Sequence, residues 1–200
     1  MSRHRRKKKK GCSKGIFIFF LLILVTVILV CTGVVSEIKK SIDRKFYPLE
    51  YKEDIVSISA EYDFDPAFIC AVIHTESKFK SDAQSHAGAK GLMQLMPDTF
   101  EDMARRRGEN VKAEDITDPH INITYGVYYL YQLKNTYGFD DKYTCAAAYN
   151  AGPGAVGGWL KDDYYSEDGV TLKDIPFGET KEYVEKIKKA EEMYQTLYFD

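Results

Sequence analysis

The chain has 200 residues, 44% of them hydrophobic and 29% charged, with a formal net charge of −2, which suits one domain and a short extra segment. Eight of the 28 Lys and Arg fall within residues 1–14, where there is no acid, so the other 186 residues carry 20 basic against 30 acidic groups, a net of −10. An acidic body behind a basic tail argues against nucleic acid as a partner, because a nucleic-acid-binding domain carries its positive charge on the fold itself.

Taken in chain order, the basic tail (1–15) is followed by Ile16–Val35, an uncharged run of Ile, Leu, Val and Phe. As a helix, 20 residues span ~30 Å, the thickness of a bilayer's hydrocarbon core. The cations precede the run, so the positive-inside rule keeps the N-terminus cytoplasmic and puts everything after Glu37 outside. A cleaved signal would have a shorter apolar core and an A-x-A-like site, and a lipoprotein signal would need a small residue where Val30 precedes Cys31. The expectation is therefore an uncleaved, single-pass anchor in the cytoplasmic membrane. The body outside is a compartment that permits disulfides, yet Cys70 and Cys145 lie in apolar helical contexts and read as buried free thiols. No CxxC pair or His/Cys cluster has metal-ligand spacing, so neither metal nor cofactor is expected.

Residues 36–50 read as a charged juxtamembrane connector, and residues 51–200 as an all-α domain large enough to bury its own core. Ile55, Ile58, Ser59 and Tyr62 recur at helical spacing. Asp65-Pro66 is an N-cap with proline at the first helical position, opening a helix that runs to about Phe79. Further helices are predicted over Pro97–Arg107, ended by Gly108; over Ile121–Tyr137, ended by Gly138; over Lys142–Asn150, stopped by Gly152-Pro153-Gly154; and over Thr180–Tyr198, with Tyr183, Ile187, Ala190, Tyr194 and Leu197 on one stripe. No segment alternates as a strand would.

The helix after Pro66 holds the most informative local pattern. Ile69, Val72 and Ile73 form its apolar stripe, and Glu76, seven residues after Ile69, falls on that stripe rather than on the solvated side. Desolvation raises a carboxylate's pKa and keeps a proton available near neutral pH, as a general acid requires. A glutamate at a frayed helix end, reaching past the core into water, fits the same periodicity. Gly88-Ala89-Lys90-Gly91-Leu92-Met93-Gln94 places two glycines before an apolar turn, which suits close backbone approach to a ligand or an ordinary loop. The run from Ala148 to Gly154 carries Tyr149 and Asn150 to a helix end.

Together and in order, Glu76-Ser77, Gly88 to Pro97, Ala148-Tyr149-Asn150-Ala151-Gly152, and Glu179-Thr180 with Tyr183-Val184 closely resemble the catalytic domain of the soluble-lytic-transglycosylase (SLT) type. That is a lysozyme-superfamily fold related to goose-type lysozyme. The resemblance covers roughly Tyr51 to Met193, and Asp65-Pro66 and Asp118-Pro119 with Asn122, Ile123 and Gly126 also fit it.

The resemblance implies a substrate, peptidoglycan strands, and cleavage of the β-1,4 bond from N-acetylmuramic acid to N-acetylglucosamine. It assigns Glu76 as acid and then base, giving a 1,6-anhydro end without water. It also implies supporting or substrate-binding places for Ser77, Met93, Gln94, Tyr149, Asn150, Glu179 and Tyr183. Two other readings stay open: a hydrolase on the same fold, which needs a second carboxylate such as Asp82 or Asp98, and a non-catalytic anchored module that binds glycan or a partner. A partner in wall or secretion machinery is left unidentified.

Overall fold

The computed structural model describes residues 12–200, with only the backbone described for residues 12–16 and for residue 29. Most of the basic tail, residues 1–11, lies outside the described residues. The chain divides into two compact units, one ending at Lys45 and one running from Phe46 to Asp200.

The described part of the first unit is one helix, α1 (Cys12–Phe46), whose last residue belongs to the second unit. Its described apolar side chains from Phe17 to Val35 are exposed. This is a helix long and apolar enough to cross a membrane. Beyond Val35 it continues without a break through Glu37, Lys39, Lys40, Asp43 and Arg44.

The second unit is all-α. It contains α2 (Lys52–Glu61), α3 (Pro66–Ser77), α4 (Pro97–Arg107), α5 (Pro119–Asn135), α6 (Lys142–Ala151), α7 (Pro153–Trp159) and α8 (Gly178–Tyr194). A 3-10 turn at Ala113–Thr117 precedes α5, and a π turn at Gln195–Phe199 ends the chain. The only extended pairing among the described residues is two isolated antiparallel bridges, Gln84 with Lys90 and Lys90 with Leu95.

Helix α3 is the axis of the body. Every residue from Ala67 to Ile73 is buried, as expected of a helix that is apolar all round. Helices α2 and α8 pack on it, and α5, α6 and α7 complete the main core. A second, smaller core of Leu95, Phe100, Met103, Ala104, Ile116 and Tyr125 lies under α4. Tyr128, Tyr129 and Tyr149 border both cores, so the line between the two is walled with tyrosine.

Several ends match the expected chemistry. Asp65 caps α3 by accepting from the Ala67 amide at 2.8 Å, and Gly108, with φ 70°, ends α4. Other elements differ from the sequence-based reading. Helix α5 starts two residues early, because Asp118 caps Ile121 at 3.0 Å and Pro119 takes the first helical position. Gly152-Pro153-Gly154 ends α6 but at once starts α7, again with proline first. Helix α8 changes to the π turn at Gln195, short of Tyr198. Cys70 and Cys145 are buried free thiols, and burial pushes both up to about 12.

The N-terminal edge of the body is held through its backbone. The Phe46 carbonyl is 3.0 Å from His74 Nε2, the Tyr47 carbonyl accepts from Tyr198 OH at 2.8 Å, and the Pro48 carbonyl accepts from Tyr194 OH at 2.8 Å. The Tyr47 ring stacks on His74 at 4.8 Å.

Candidate active site

Glu76 sits in the last turn of α3. The helix stops at Ser77 because Lys78 and Phe79 both adopt the left-handed conformation, with φ 54° and 64°. This is an uncommon choice for two successive residues with side chains. It keeps Lys80 from continuing the apolar stripe and leaves Glu76 as its last member. The carboxyl is half-buried, and its Oε1 accepts from Tyr183 OH at 2.7 Å. Loss of solvation raises its pKa to about 7, a rise that the tyrosine hydrogen bond partly offsets. The phenols of Tyr183 and Tyr149 are held well above their ordinary value, first by burial and then by the charge of Glu76. Two neutral tyrosines and one carboxyl poised near neutrality therefore lie together.

The loop between α3 and α4 meets Tyr149, and Asn122 holds it. This fully buried side chain accepts from the Met93 amide at 2.7 Å and donates to the carbonyls of Lys90 at 3.1 Å and Ile116 at 2.6 Å. The packing requires glycine at 91: φ is 80°, and a Cβ there would lie 2.6 Å from Asn122 Cγ and 2.8 Å from the Ile116 carbonyl. A Cβ on Gly126 would strike the Met93 side chain, so α5 and the loop meet in direct contact. Tyr149 closes the arrangement from α6 by donating to the Met93 carbonyl at 2.7 Å, and its ring lies 5.1 Å from that of Tyr129.

The expected residues divide by what they touch. Glu76 and Tyr183 are bonded directly. Tyr149 and Met93 meet through the Met93 carbonyl, while the Met93 side chain is buried in the core. Gln94, at φ 47°, donates its amide nitrogen to the carbonyls of Ala83 at 3.1 Å and Gly91 at 2.9 Å. Ser77 is buried and donates back to the Ile73 carbonyl at 3.2 Å. Asn150 is exposed and accepts from Thr180 Oγ1 at 2.7 Å, joining α6 to α8. Glu179 is exposed at the start of α8.

The sequence does not single out Tyr129, and it offers Thr180 and Asn122 only as parts of the motif pattern. A polar residue inside the apolar register of α5 was the available signal for Asn122. Asp98 lines a separate groove with Asp102, Arg106 and Tyr137, and Asp82 is exposed. Neither contacts Glu76. Among the described residues no cluster of three His, Cys, Asp or Glu has the arrangement of a metal site.

A family model described as "Transglycosylase SLT domain" matches residues 55–170. The soluble lytic murein transglycosylase of Escherichia coli is 30% identical over 158 residues, covering 77% of this chain and 24% of that protein. A membrane-bound lytic murein transglycosylase C from Actinobacillus succinogenes is 31% identical, over 77% of this chain and 48% of its own. The solved 70 kDa soluble lytic transglycosylase of Escherichia coli superposes with a TM-score of 0.70 at 27% identity, covering 79% of this chain and 26% of that one. An inactive mutant of the Pseudomonas aeruginosa lytic transglycosylase Slt gives 0.66 at 31% identity, over 75% and 24% of the two chains. The chain thus spans about a quarter of the length of the first curated relatives it matches.

Proposed function

This chain belongs to the transglycosylase SLT domain family, and from that premise we propose that it is a membrane-anchored lytic transglycosylase acting on peptidoglycan. The observation that carries the reading is Glu76: one half-buried carboxyl, raised to about 7 by desolvation and oriented by Tyr183 at 2.7 Å.

The chemistry follows from one group acting twice. Tyr183 occupies Oε1, so the proton to be delivered sits on Oε2. Glu76 gives it to the glycosidic oxygen as the C1–O4 bond breaks, and the N-acetylglucosamine end leaves as an alcohol. The substrate's acetamido group stabilises the positive charge developing at C1. Glu76, now a carboxylate, takes the proton from the C6 hydroxyl of the same muramic sugar, and O6 closes on C1. The proton returns to Glu76, no water is consumed, and the product is a 1,6-anhydro end. Glycosidases that use water or a covalent intermediate need a second carboxylate a few ångströms across the cleft. Here the substrate's own hydroxyl takes that place. Tyr149, Asn150 and Gln94 Oε1 are the side-chain groups we assign to holding the sugars, with Glu179 at the outer end.

We assign α1 to a single membrane crossing with the N-terminus cytoplasmic and the body outside. This rests on the exposed apolar face of α1 and the one-sided cations ahead of it.

The test is product chemistry. Wild-type protein should release anhydro-ended fragments from purified sacculi, read by mass spectrometry, and Glu76→Gln should fold and lose cleavage by at least about a thousandfold, the scale of losing an essential acid and base. Reducing muramic ends as the sole product would establish hydrolysis instead. Undiminished digestion by Glu76→Gln would remove Glu76 from the chemistry.

A further inference from the structure

Helix α8 donates two hydroxyls from one face to two other helices. Tyr183 OH donates to Glu76 on α3 at 2.7 Å, and Thr180 Oγ1 donates to Asn150 Oδ1 on α6 at 2.7 Å. Residues three apart share a helix face, ~4.5 Å apart along the axis. Thr180, Tyr183, Val184 and Ile187 are all buried and form the inward stripe of α8. On α6, Asn150 directly follows Tyr149, whose phenol is held up by burial and then by the charge of Glu76. The end of α6 and the first turns of α8 therefore meet beside the acid, through a hydroxyl of α8.

The direction of the second bond fixes which half of the Asn150 amide is left over. Thr180 is only 2% exposed, and its hydroxyl has no other hydrogen-bond partner among the described residues. A buried hydroxyl that donates to nothing is costly. Its one proton therefore goes to Asn150, where it must meet the amide oxygen. The Asn150 side chain is exposed, and no acceptor among the described residues takes a proton from its Nδ2. Without the threonine hydroxyl, the amide could turn over with little change of shape.

Taking the proposed function as given, a glycan strand bound at Glu76 brings oxygens that only accept hydrogen bonds, such as acetamido carbonyls. We propose that Thr180 is a positioning residue: it occupies the Asn150 oxygen, so that the amide offers only its N–H donors to an accepting oxygen of the bound strand. Tyr183 does the same for Glu76, occupying one carboxyl oxygen and leaving the other to the substrate. One turn of α8 thus orients an acid and a donor together. Valine has nearly the shape of threonine and cannot do this.

The experiment reads binding by co-sedimentation with purified sacculi, using the full chain in detergent. The parent is Glu76→Gln, which prevents cleavage and removes the charge at 76 from the comparison. Adding Thr180→Val should weaken binding about two- to fivefold, the scale of one neutral hydrogen bond, and Thr180→Ser should bind like the parent. Asn150→Asp separates positioning from mere tethering. A carboxylate oxygen still accepts from Thr180, so the join between α6 and α8 persists, but no N–H is left for the strand. Binding should weaken about tenfold or more, the scale of replacing a hydrogen bond by two facing acceptors. With Glu76 restored, Thr180→Val should raise KM by the same factor as it weakens binding and leave kcat unchanged. In an Asn150→Ala protein it should change nothing further. Parent-like binding by Asn150→Asp or by Thr180→Val overturns the inference. So does a loss in Thr180→Val that serine does not reverse, or one that is equal with and without the Asn150 amide, or a parent that does not bind sacculi. The proposed reaction fails on a different result, the absence of anhydro ends from wild type, and the binding series still decides Thr180.

Discussion

At the residue scale the site depends on the environment given to one carboxyl. Tyr183 holds the pKa of Glu76 down while burial pushes it up. Tyr183→Phe removes the opposing influence, so the acid should stay protonated to higher pH. The basic limb of kcat/KM against pH should move upward by about one unit, the scale of one hydrogen bond to a charged group, with a lower maximum because the carboxyl loses its orientation. An unmoved limb would mean that Glu76 does not set it. Stability is linked to the same group. Its folded pKa, about 7, lies above its ordinary 4.5. Folding is therefore unpenalised below about pH 4.5, becomes progressively penalised as pH rises, and carries the full penalty above about 7. Glu76→Gln should match wild type in thermal melts at pH 4 and exceed it by about 2 kcal/mol at pH 8.

At the scale of the element, the loop between α3 and α4 owes its shape to α5. Asn122→Leu keeps the volume but strands the Met93 amide and the carbonyls of Lys90 and Ile116, which Asn122 now satisfies. It should cost about 2–4 kcal/mol in thermal or denaturant unfolding and lower activity beyond what Gln94→Ala alone does. Gly91→Ala should be comparably damaging, since its Cβ would enter the same space. What could be read from the sequence divides along these lines. Helix starts rest on local chemistry, so Asp65-Pro66 and Gly108 announce themselves within a few residues. The start of α7 was missed because Gly152-Pro153-Gly154 ends one helix by the same features that begin the next. Glu76 was visible as a carboxylate on an apolar stripe. Its bond to Tyr183, 107 residues away, and the place of Tyr129 between two cores depend on tertiary packing that periodicity does not encode.

At the scale of the whole molecule, the compact body begins at Phe46, five residues before the boundary suggested by composition. A protein starting at Phe46, without α1, should fold and cleave soluble strands, because the body's cores contain no side chain from α1. One starting at Tyr51 should melt at lower temperature. It leaves His74, Tyr194 and Tyr198 without the carbonyls they now engage and removes Tyr47 from its stack on His74. Losing three such bonds costs about 2–4 kcal/mol. Equal melting temperatures would show that the 46–48 segment contributes nothing to the fold.

That segment also bears on how this protein can diverge. His74, Tyr194 and Tyr198 grip main-chain oxygens, which every amino acid supplies. Positions 46 and 48 are therefore free to drift among residues that keep the same backbone path, while the three gripping side chains are not. A lineage can rewrite the letters at the N-terminal edge of the body and leave the helix that carries Glu76 undisturbed.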